Sequence, residues 1–95
     1  MIRHVVLWTF KDSVGPRDRE SIVAAVRLLR VPSLRALEVG ENISPARALG
    51  YTHVLIETFD DRDGLAAYAS HPEHVPVLAR LRVAVAQLIA VDLEV

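Results

Sequence analysis

The stretch IRHVVLWTF, residues 2–10, decides the fold of this chain. It is rich in β-branched and aromatic residues, and the turn-forming run KDSVGP at 11–16 closes it, so it predicts a β-strand. Side chains on a strand alternate between its two faces. One face carries His4, Val6, Trp8 and Phe10, and the other carries Val5, Leu7 and Thr9. Both faces therefore require burial.

Working outward from this strand, the pattern predicts three more strands and three helical segments. Apolar residues at helical spacing predict an amphipathic helix from Pro16 to Arg30. Asp60 and Asp61 are good N-caps for a short helix through Tyr68. The His-Pro break at 71–72 starts another helix, which runs to about Val83. The remaining strands are predicted at 34–42, near a sheet edge, at 51–59 and at 88–95.

This order, βαββαβ with the second helix split in two, predicts an α+β protein with the ferredoxin-like arrangement. In that arrangement a four-stranded antiparallel sheet carries its helices on one face, here as a single domain over residues 1–95. The helices of one chain leave the other sheet face open, and that face holds Val5, Leu7, Val54 and Ile56. A second copy packing on this face is the simplest cover, so we expect a homodimer through the sheet face.

Composition and charge exclude several classes of function. The chain has 95 residues, of which 52% are hydrophobic and 5% aromatic, and its net charge is −1. No run concentrates Lys and Arg with aromatics, so we expect neither nucleic acid nor membrane as a partner. The absence of cysteine excludes disulfides and thiolate chemistry and is typical of a reducing compartment, so we expect a cytoplasmic protein. Nothing in the sequence matches a signal peptide.

Four histidines are the chemically informative feature. His4 and His53 lie near strand starts on the predicted helix side, while His71 and His74 flank the His-Pro break, so the four could converge on one cavity. Each histidine taken alone is more typical of a hydrogen-bonded core residue or of a residue at a loop end. The i, i+3 pair at 71 and 74 is distorted by Pro72 and has no third ligand, so we expect no metal and no cofactor.

Two acids fall inside predicted strands, Glu57 and Asp92. They could be solvated strand-end groups or a structural pair, or they could orient an imidazole. His74 is the best candidate for chemistry, because the first turn of a helix disfavours imidazolium and a neutral histidine can act as a base near pH 7. Tyr68 could present its hydroxyl to the same spot, although its ring could instead serve only the core.

Four segments together resemble the Dabb family, the stress-responsive dimeric α/β-barrel domain. They are HVVLWTFK at 4–11, GYTH at 50–53, Tyr68 followed by HPEHV at 71–75, and the ending Val91-Asp92. The resemblance implies a homodimer whose sheets form a dimeric α+β barrel. The family also contains a plant polyketide cyclase that acts by aldol condensation, and its histidine base and assisting tyrosine match His74 and Tyr68. The substrate-binding positions that we expect are His4, Val6, Trp8, His53, Leu55, His71 and Val75.

Two kinds of function follow from these patterns. The first is a cofactor-free cyclase or lyase with His74 as its base, acting on a small apolar or polyketone-like molecule. The alternative is a non-catalytic homodimer, either stress-responsive or ligand-binding. The enzyme requires an open cavity that touches His74, whereas a purely structural protein would fill that space with Trp8, Phe59 and Leu78.

Overall fold

The computed structural model describes residues 1–95 and contains four strands and three α-helices. The elements in chain order are β1 (Ile2–Phe10), α1 (Pro16–Arg27), β2 (Leu34–Glu41), a 3₁₀ helix (Pro45–Ala48), β3 (His53–Phe59), α2 (Arg62–Ala69), α3 (His74–Ala84) and β4 (Val85–Glu94). The predicted βαββαβ order, with its second helix split at the His-Pro break, is confirmed.

The strands form one antiparallel sheet in the order β2-β3-β1-β4. Strand β1 lies inside the sheet, with His4 opposite Glu57 on β3 and opposite Asp92 on β4. Strand β2 is at an edge, as the sequence predicts, and β4 forms the other edge. The ferredoxin-like α+β fold class is therefore confirmed.

The hydrophobic core lies between the helices and one face of this sheet. Its sheet side consists of alternate residues of β1 and β3, and Trp8 and Phe59 are both fully buried. Ile22 and Val26 of α1 pack against them from the helix layer. Every second residue of the strands points inward, and these side chains pack against the apolar side of α1 in one layer.

Two element boundaries differ from the sequence-based prediction by three residues, and β3 begins at His53 rather than at residue 51. Helix α1 ends at Arg27 rather than Arg30, and Leu29 and Val31 beyond it are buried, because the chain turns there to bring both into the core. Strand β4 begins at Val85 rather than Leu88 and follows α3 without a loop. No glycine or proline marks the junction between α3 and β4, and the pairing of Val85 with Phe10 determines where the strand begins.

The face of the sheet away from the helices has no cover within the chain. On β4 alone it carries Ile89, Val91 and Leu93, which are 45%, 59% and 56% exposed. Val91 lies beside Val5 in the sheet register, and Leu7 lies beside Val54. The unpartnered apolar face that β1 predicts is present in the folded chain. None of the α-helices is long and apolar enough to span a bilayer.

Helix α2 depends on its cap, since it has only eight residues. The Asp61 carboxylate accepts a hydrogen bond of 2.8 Å from the backbone N–H of Gly64. We predict that Asp61→Ala lowers the free energy of unfolding by about 1 kcal/mol, as loss of an N-cap does. Asp61→Asn keeps a capping oxygen and should stay close to the unmodified protein in urea denaturation. Equal loss in both variants would show that charge rather than capping matters here.

Candidate active site

A cavity of about 250 Å³ lies between the sheet and the helices, on the same side as the core. Its walls are mostly aliphatic and come from α1 and the turn after it, from α3 and from three strands: Val6, Val26, Leu29, Leu55, Val77, Leu78, Leu81, Leu88 and Ala90. Five side chains bring polar atoms to the lining, namely His4, Glu57, Tyr68, His74 and Arg82. An apolar pocket with a few convergent polar groups is the usual form of a small-molecule site.

His74 is the first residue of α3, and its ring is fixed across the break between the two short helices. Its Nδ1 lies 3.1 Å from the backbone carbonyl oxygen of Ala69 at the end of α2. A carbonyl oxygen only accepts, so Nδ1 carries the hydrogen and donates it. In the neutral ring this leaves Nε2 as the atom with a free lone pair, so that His74 can accept a proton there.

The surroundings of His74 favour its neutral form. Burial lowers the pKa of His74 most, the Ala69 carbonyl opposes this effect, and the nearby His4 and Arg82 lower the pKa further. The sequence predicts a lowered pKa from the helix N-terminus and partial burial, and in the structure burial is the largest cause of the lowering. A neutral imidazole with a fixed tautomer has the properties required of a general base.

Tyr68 packs directly on His74. The two ring centroids are 4.1 Å apart, and the tyrosine ring also lies 5.1 Å from that of Phe59. Its side chain is 2% exposed, and burial together with the adjacent Glu57 raises its pKa. The hydroxyl therefore stays protonated at neutral pH and can donate a hydrogen bond to a bound molecule.

His4 and Asp92 form a second imidazole contact at the cavity. They are direct neighbours across β1 and β4, and His4 Nδ1 lies 2.5 Å from Asp92 Oδ1. Asp92 thus orients an imidazole, one of the roles that its place in a strand suggested. The second ring nitrogen of His4 makes no hydrogen bond within the chain.

Glu57 is a residue that the sequence-based site leaves out. It is 0% exposed at the middle of β3, and neither of its carboxyl oxygens has a hydrogen-bond partner of good geometry. Burial raises its pKa, while the neighbouring Tyr68 hydroxyl and His4 pull the pKa the other way. A signal was present in the sequence, because Glu57 is the one acid among the inward positions of its strand, with His53, Leu55 and Phe59.

The structure brings together only part of the expected site. His4, Val6, Leu55, Tyr68 and His74 all line the cavity. His71 and Val75 do not line it, because they lie on the break before α3 and at its exposed start. There the His71 Nδ1 accepts the Glu73 backbone N–H at 3.1 Å, and Val75 is 50% exposed.

Trp8 and His53 lie together in a different place. They are opposite each other in the register of β1 and β3, and their rings stack at 5.3 Å. Trp8 is fully buried in the core, and His53 faces a separate groove beside α1. The expected convergence of four histidines is corrected here: β1 and β3 run antiparallel, so their starts lie at opposite ends of the sheet.

No group of three or more His, Asp or Glu side chains is arranged to hold a metal ion. The polar groups of the cavity come instead as two imidazoles, one phenol and one buried carboxyl, with Arg82 exposed at its edge. Such a set can move protons and donate hydrogen bonds.

Comparison with known proteins agrees with this architecture. The Dabb model, described as the stress responsive A/B barrel domain, matches residues 2–95. The chain is 32% identical over 77 residues to the stress-response A/B barrel domain-containing protein HS1 of Arabidopsis thaliana, covering 78% of this chain and 71% of that protein. It is 26% identical over 77 residues to olivetolic acid cyclase of Cannabis sativa, covering 78% and 76% of the two chains.

A solved structure shares the whole fold. The crystal structure of a dimeric ferredoxin-like protein from Thermobifida fusca has a TM-score of 0.88 and 30% sequence identity, with 99% of this chain and 90% of that chain covered. The fold therefore assigns this molecule to the ferredoxin-like α+β domains. Within that class, the match over residues 2–95 shows that the chain belongs to the Dabb family of stress-responsive domains.

The lowered pKa of His74 predicts a pH dependence of stability. The folded protein should bind fewer protons than the unfolded chain between the native pKa of His74 and about 6.5, so the free energy of unfolding should rise with pH across that window. His53, whose pKa burial also lowers, contributes with the same sign. Glu57, whose pKa is raised, contributes with the opposite sign from about 4.5 up to its raised pKa in the folded protein.

The contribution of His74 is therefore measured as a difference between two proteins. His74→Gln should reduce the slope of unfolding free energy against pH just below 6.5. The part of the slope that comes from His53 should remain. NMR titration of the imidazole resonances should place His74 below 6.5 in the folded protein. A His74 midpoint at or above that value would contradict the environment described for it.

Proposed function

We propose that this chain is a cofactor-free enzyme that removes a proton from a small, apolar, enolisable carbonyl compound, in a cyclase or lyase reaction of the aldol type. The observation that carries the proposal is the fixed tautomer of His74. Its Nδ1–H is held by Ala69, which leaves Nε2 as the proton acceptor in a ring that lines an apolar cavity. A structural histidine would not require the open volume beside it.

The proposed reaction uses two side chains. Nε2 of His74 takes the proton from a carbon next to a carbonyl group, and the electron pair of the broken C–H bond moves to the carbonyl oxygen. The Tyr68 hydroxyl donates a hydrogen bond to the enolate oxygen that forms. The enolate carbon then attacks a second carbonyl carbon of the same molecule and closes a ring, and the proton on His74 neutralises the new alkoxide.

Two further features support this function. The volume of about 250 Å³ and the aliphatic lining favour a compact apolar substrate. Leu78 lines this volume without filling it, and the fully buried Trp8 and Phe59 lie outside it. The similarity to olivetolic acid cyclase, at 26% identity, supports a cyclisation of the same kind.

Replacing the two side chains tests the reaction. With a linear polyketone thioester as substrate, we expect His74→Ala to lower turnover by roughly 10²- to 10⁴-fold, as loss of a general base does. Tyr68→Phe removes one hydrogen bond to the enolate and should raise the activation free energy by about 2 to 4 kcal/mol. His71→Ala is the matched control, because His71 lies three residues before the base but outside the cavity.

Thermal unfolding must accompany these assays. Unchanged midpoints with lost turnover would establish chemistry at His74, whereas a collapsed midpoint would make it a structural residue. Binding of the thioester without turnover by the unmodified protein would show a ligand-binding domain instead of an enzyme.

We further propose that the chain works as a homodimer joined through the open sheet face. The apolar side chains exposed on β4, together with Val5, Leu7, Val54 and Ile56, form a continuous surface of the kind that marks a protein interface. The structural relative from Thermobifida fusca is described as dimeric, which supports this assembly. Face-to-face packing of two such sheets forms a dimeric α+β barrel.

A charge on this face should prevent the assembly. Val91→Glu adds a carboxylate at a position that is 59% exposed in the single chain, so the chain can still fold while the interface cannot tolerate the charge. Leu7→Glu, at the centre of the face, should dissociate the dimer and destabilise the fold as well. Leu28→Glu, 69% exposed at the end of α1, is the control that should remain dimeric. Light scattering that gives the 10.5 kDa monomer for the unmodified protein would contradict the proposal.

A further inference from the structure

Glu57 is the least expected polar group in the cavity. Its carboxyl is fully buried in the middle of β3 and lines the volume that His74 and Tyr68 also line. Neither oxygen has a hydrogen-bond partner of good geometry in the chain. Buried polar groups are nearly always satisfied, so an unpaired carboxyl facing a cavity suggests a role toward a bound molecule.

No hydrogen bond of good geometry joins a neighbouring cationic group to Glu57. On β1, His4 already gives its Nδ1–H to Asp92 of β4 at 2.5 Å. Helix α2 contributes the neutral Tyr68 hydroxyl, and α3 contributes His74 and the exposed Arg82 at the cavity edge. From α1 and β2 the contacts are aliphatic, with Val26 and Leu29 in the same lining and Leu37 as the cross-strand neighbour.

An ionised carboxylate in this setting would carry a desolvation penalty, which the Tyr68 hydroxyl and His4 oppose without forming a pair of good geometry with it. The neutral carboxylic acid avoids that penalty and gains an O–H donor. The proton can then be directed at a ligand in the cavity, where Tyr68 offers a second donor from the neighbouring position.

We propose that Glu57 is a catalytic residue of this site, whose protonated carboxyl donates a hydrogen bond to the oxyanion of a bound enolate together with the Tyr68 hydroxyl. The cavity would thus select planar oxyanions on an apolar body, namely enolates and their phenolate analogues. This inference rests on the proposed function for its reaction, but it defines the ligand class independently of turnover. A phenol paired with a neutral carboxylic acid is known to stabilise an enolate oxyanion in an apolar enzyme site.

The proton balance of the step is simple. His74 Nε2 gains the proton that leaves carbon, and the C–H electron pair becomes the negative charge on oxygen. Glu57 and Tyr68 keep their own protons and share them with that oxygen as hydrogen bonds. No oxidant, reductant or second substrate is needed.

The direction in which the pKa of a bound phenol shifts, followed by absorbance, tests the proposal in the unmodified protein. 4-Nitrophenol is a suitable probe, because its phenol and phenolate forms absorb at different wavelengths. Two neutral donors would stabilise the phenolate, so the pKa of the bound probe should fall below its value in water. An ionised Glu57 would repel the phenolate and raise the pKa of the bound probe. A raised or unchanged value, or no binding of the probe at millimolar concentration, would overturn the proposal.

Two variants separate hydrogen bonding from charge. Glu57→Gln retains a neutral N–H donor of nearly the same shape, so phenolate affinity should remain within a few fold of the unmodified protein. Glu57→Met removes the donor and should weaken phenolate binding by roughly 10- to 100-fold, as loss of a hydrogen bond to a charged group does. Glu20→Gln, on the exposed face of α1, is the control. Tighter phenolate binding in both Glu57→Gln and Glu57→Met would show that Glu57 acts as a carboxylate and would overturn the proposal.

The two proposals fail in different ways. Phenolate binding that depends on Glu57, with no turnover of any polyketone thioester, would leave the oxyanion site in place and reject the enzyme. Turnover that depends on His74 but is unchanged in Glu57→Met would retain the enzyme and reject the role of Glu57.

Discussion

Strand β1 pairs with β3 on one side and with β4 on the other, and this double pairing fixes the positions of the polar groups that the sheet contributes to the site. It sets His4 opposite Glu57 in one direction and opposite Asp92 in the other. The alternation along the same strand places Val6 and Trp8 under the helices and leaves Val5 and Leu7 on the open face. The pairing register of β1 therefore determines which of its residues face the cavity, the core and the open apolar surface.

The helices contribute the other half of the site at the break between α2 and α3. A continuous helix across residues 62–84 would carry the ring of His74 past the sheet, whereas the break at His71-Pro72 lets α3 start beside the end of α2. The Ala69 carbonyl is left free at that end and accepts the His74 Nδ1–H. The local geometry that terminates one helix thus also determines which nitrogen of the histidine can act as a base.

Much of this structure could be predicted from the sequence. The strands at 2–10 and near 53–59, the split second helix and the open sheet face follow from periodicity and from the positions of proline. The C-terminal end of α1 and the start of β4 could not, since burial of Leu29 and pairing of Val85 set them and no local signal marks either position.

The site was harder to predict, because it depends on distances between elements. The sequence indicates His74 from its place at a helix start and Tyr68 from its place on the preceding short helix, and the family resemblance indicates both. The structure places their rings 4.1 Å apart. His53 was expected in the same cavity, yet antiparallel pairing places it beside Trp8. The sequence marks Glu57 only as an acid in a strand, because lack of a hydrogen-bond partner is a property of three-dimensional surroundings.

The origin of the cavity walls has a consequence for how this molecule can change. Its proton-handling groups come from the two inner strands and from the junction between α2 and α3, while most of its shape comes from aliphatic side chains on α1, on later turns of α3 and on β4. Exchanging Val26, Val77 or Leu88 for a larger or smaller aliphatic residue would alter the shape of the cavity and leave the reactive groups where they are. The shape of the cavity and its reactive groups come from separate parts of the chain. Substitutions in the lining can therefore change which ligand fits, while the same groups carry out the chemistry.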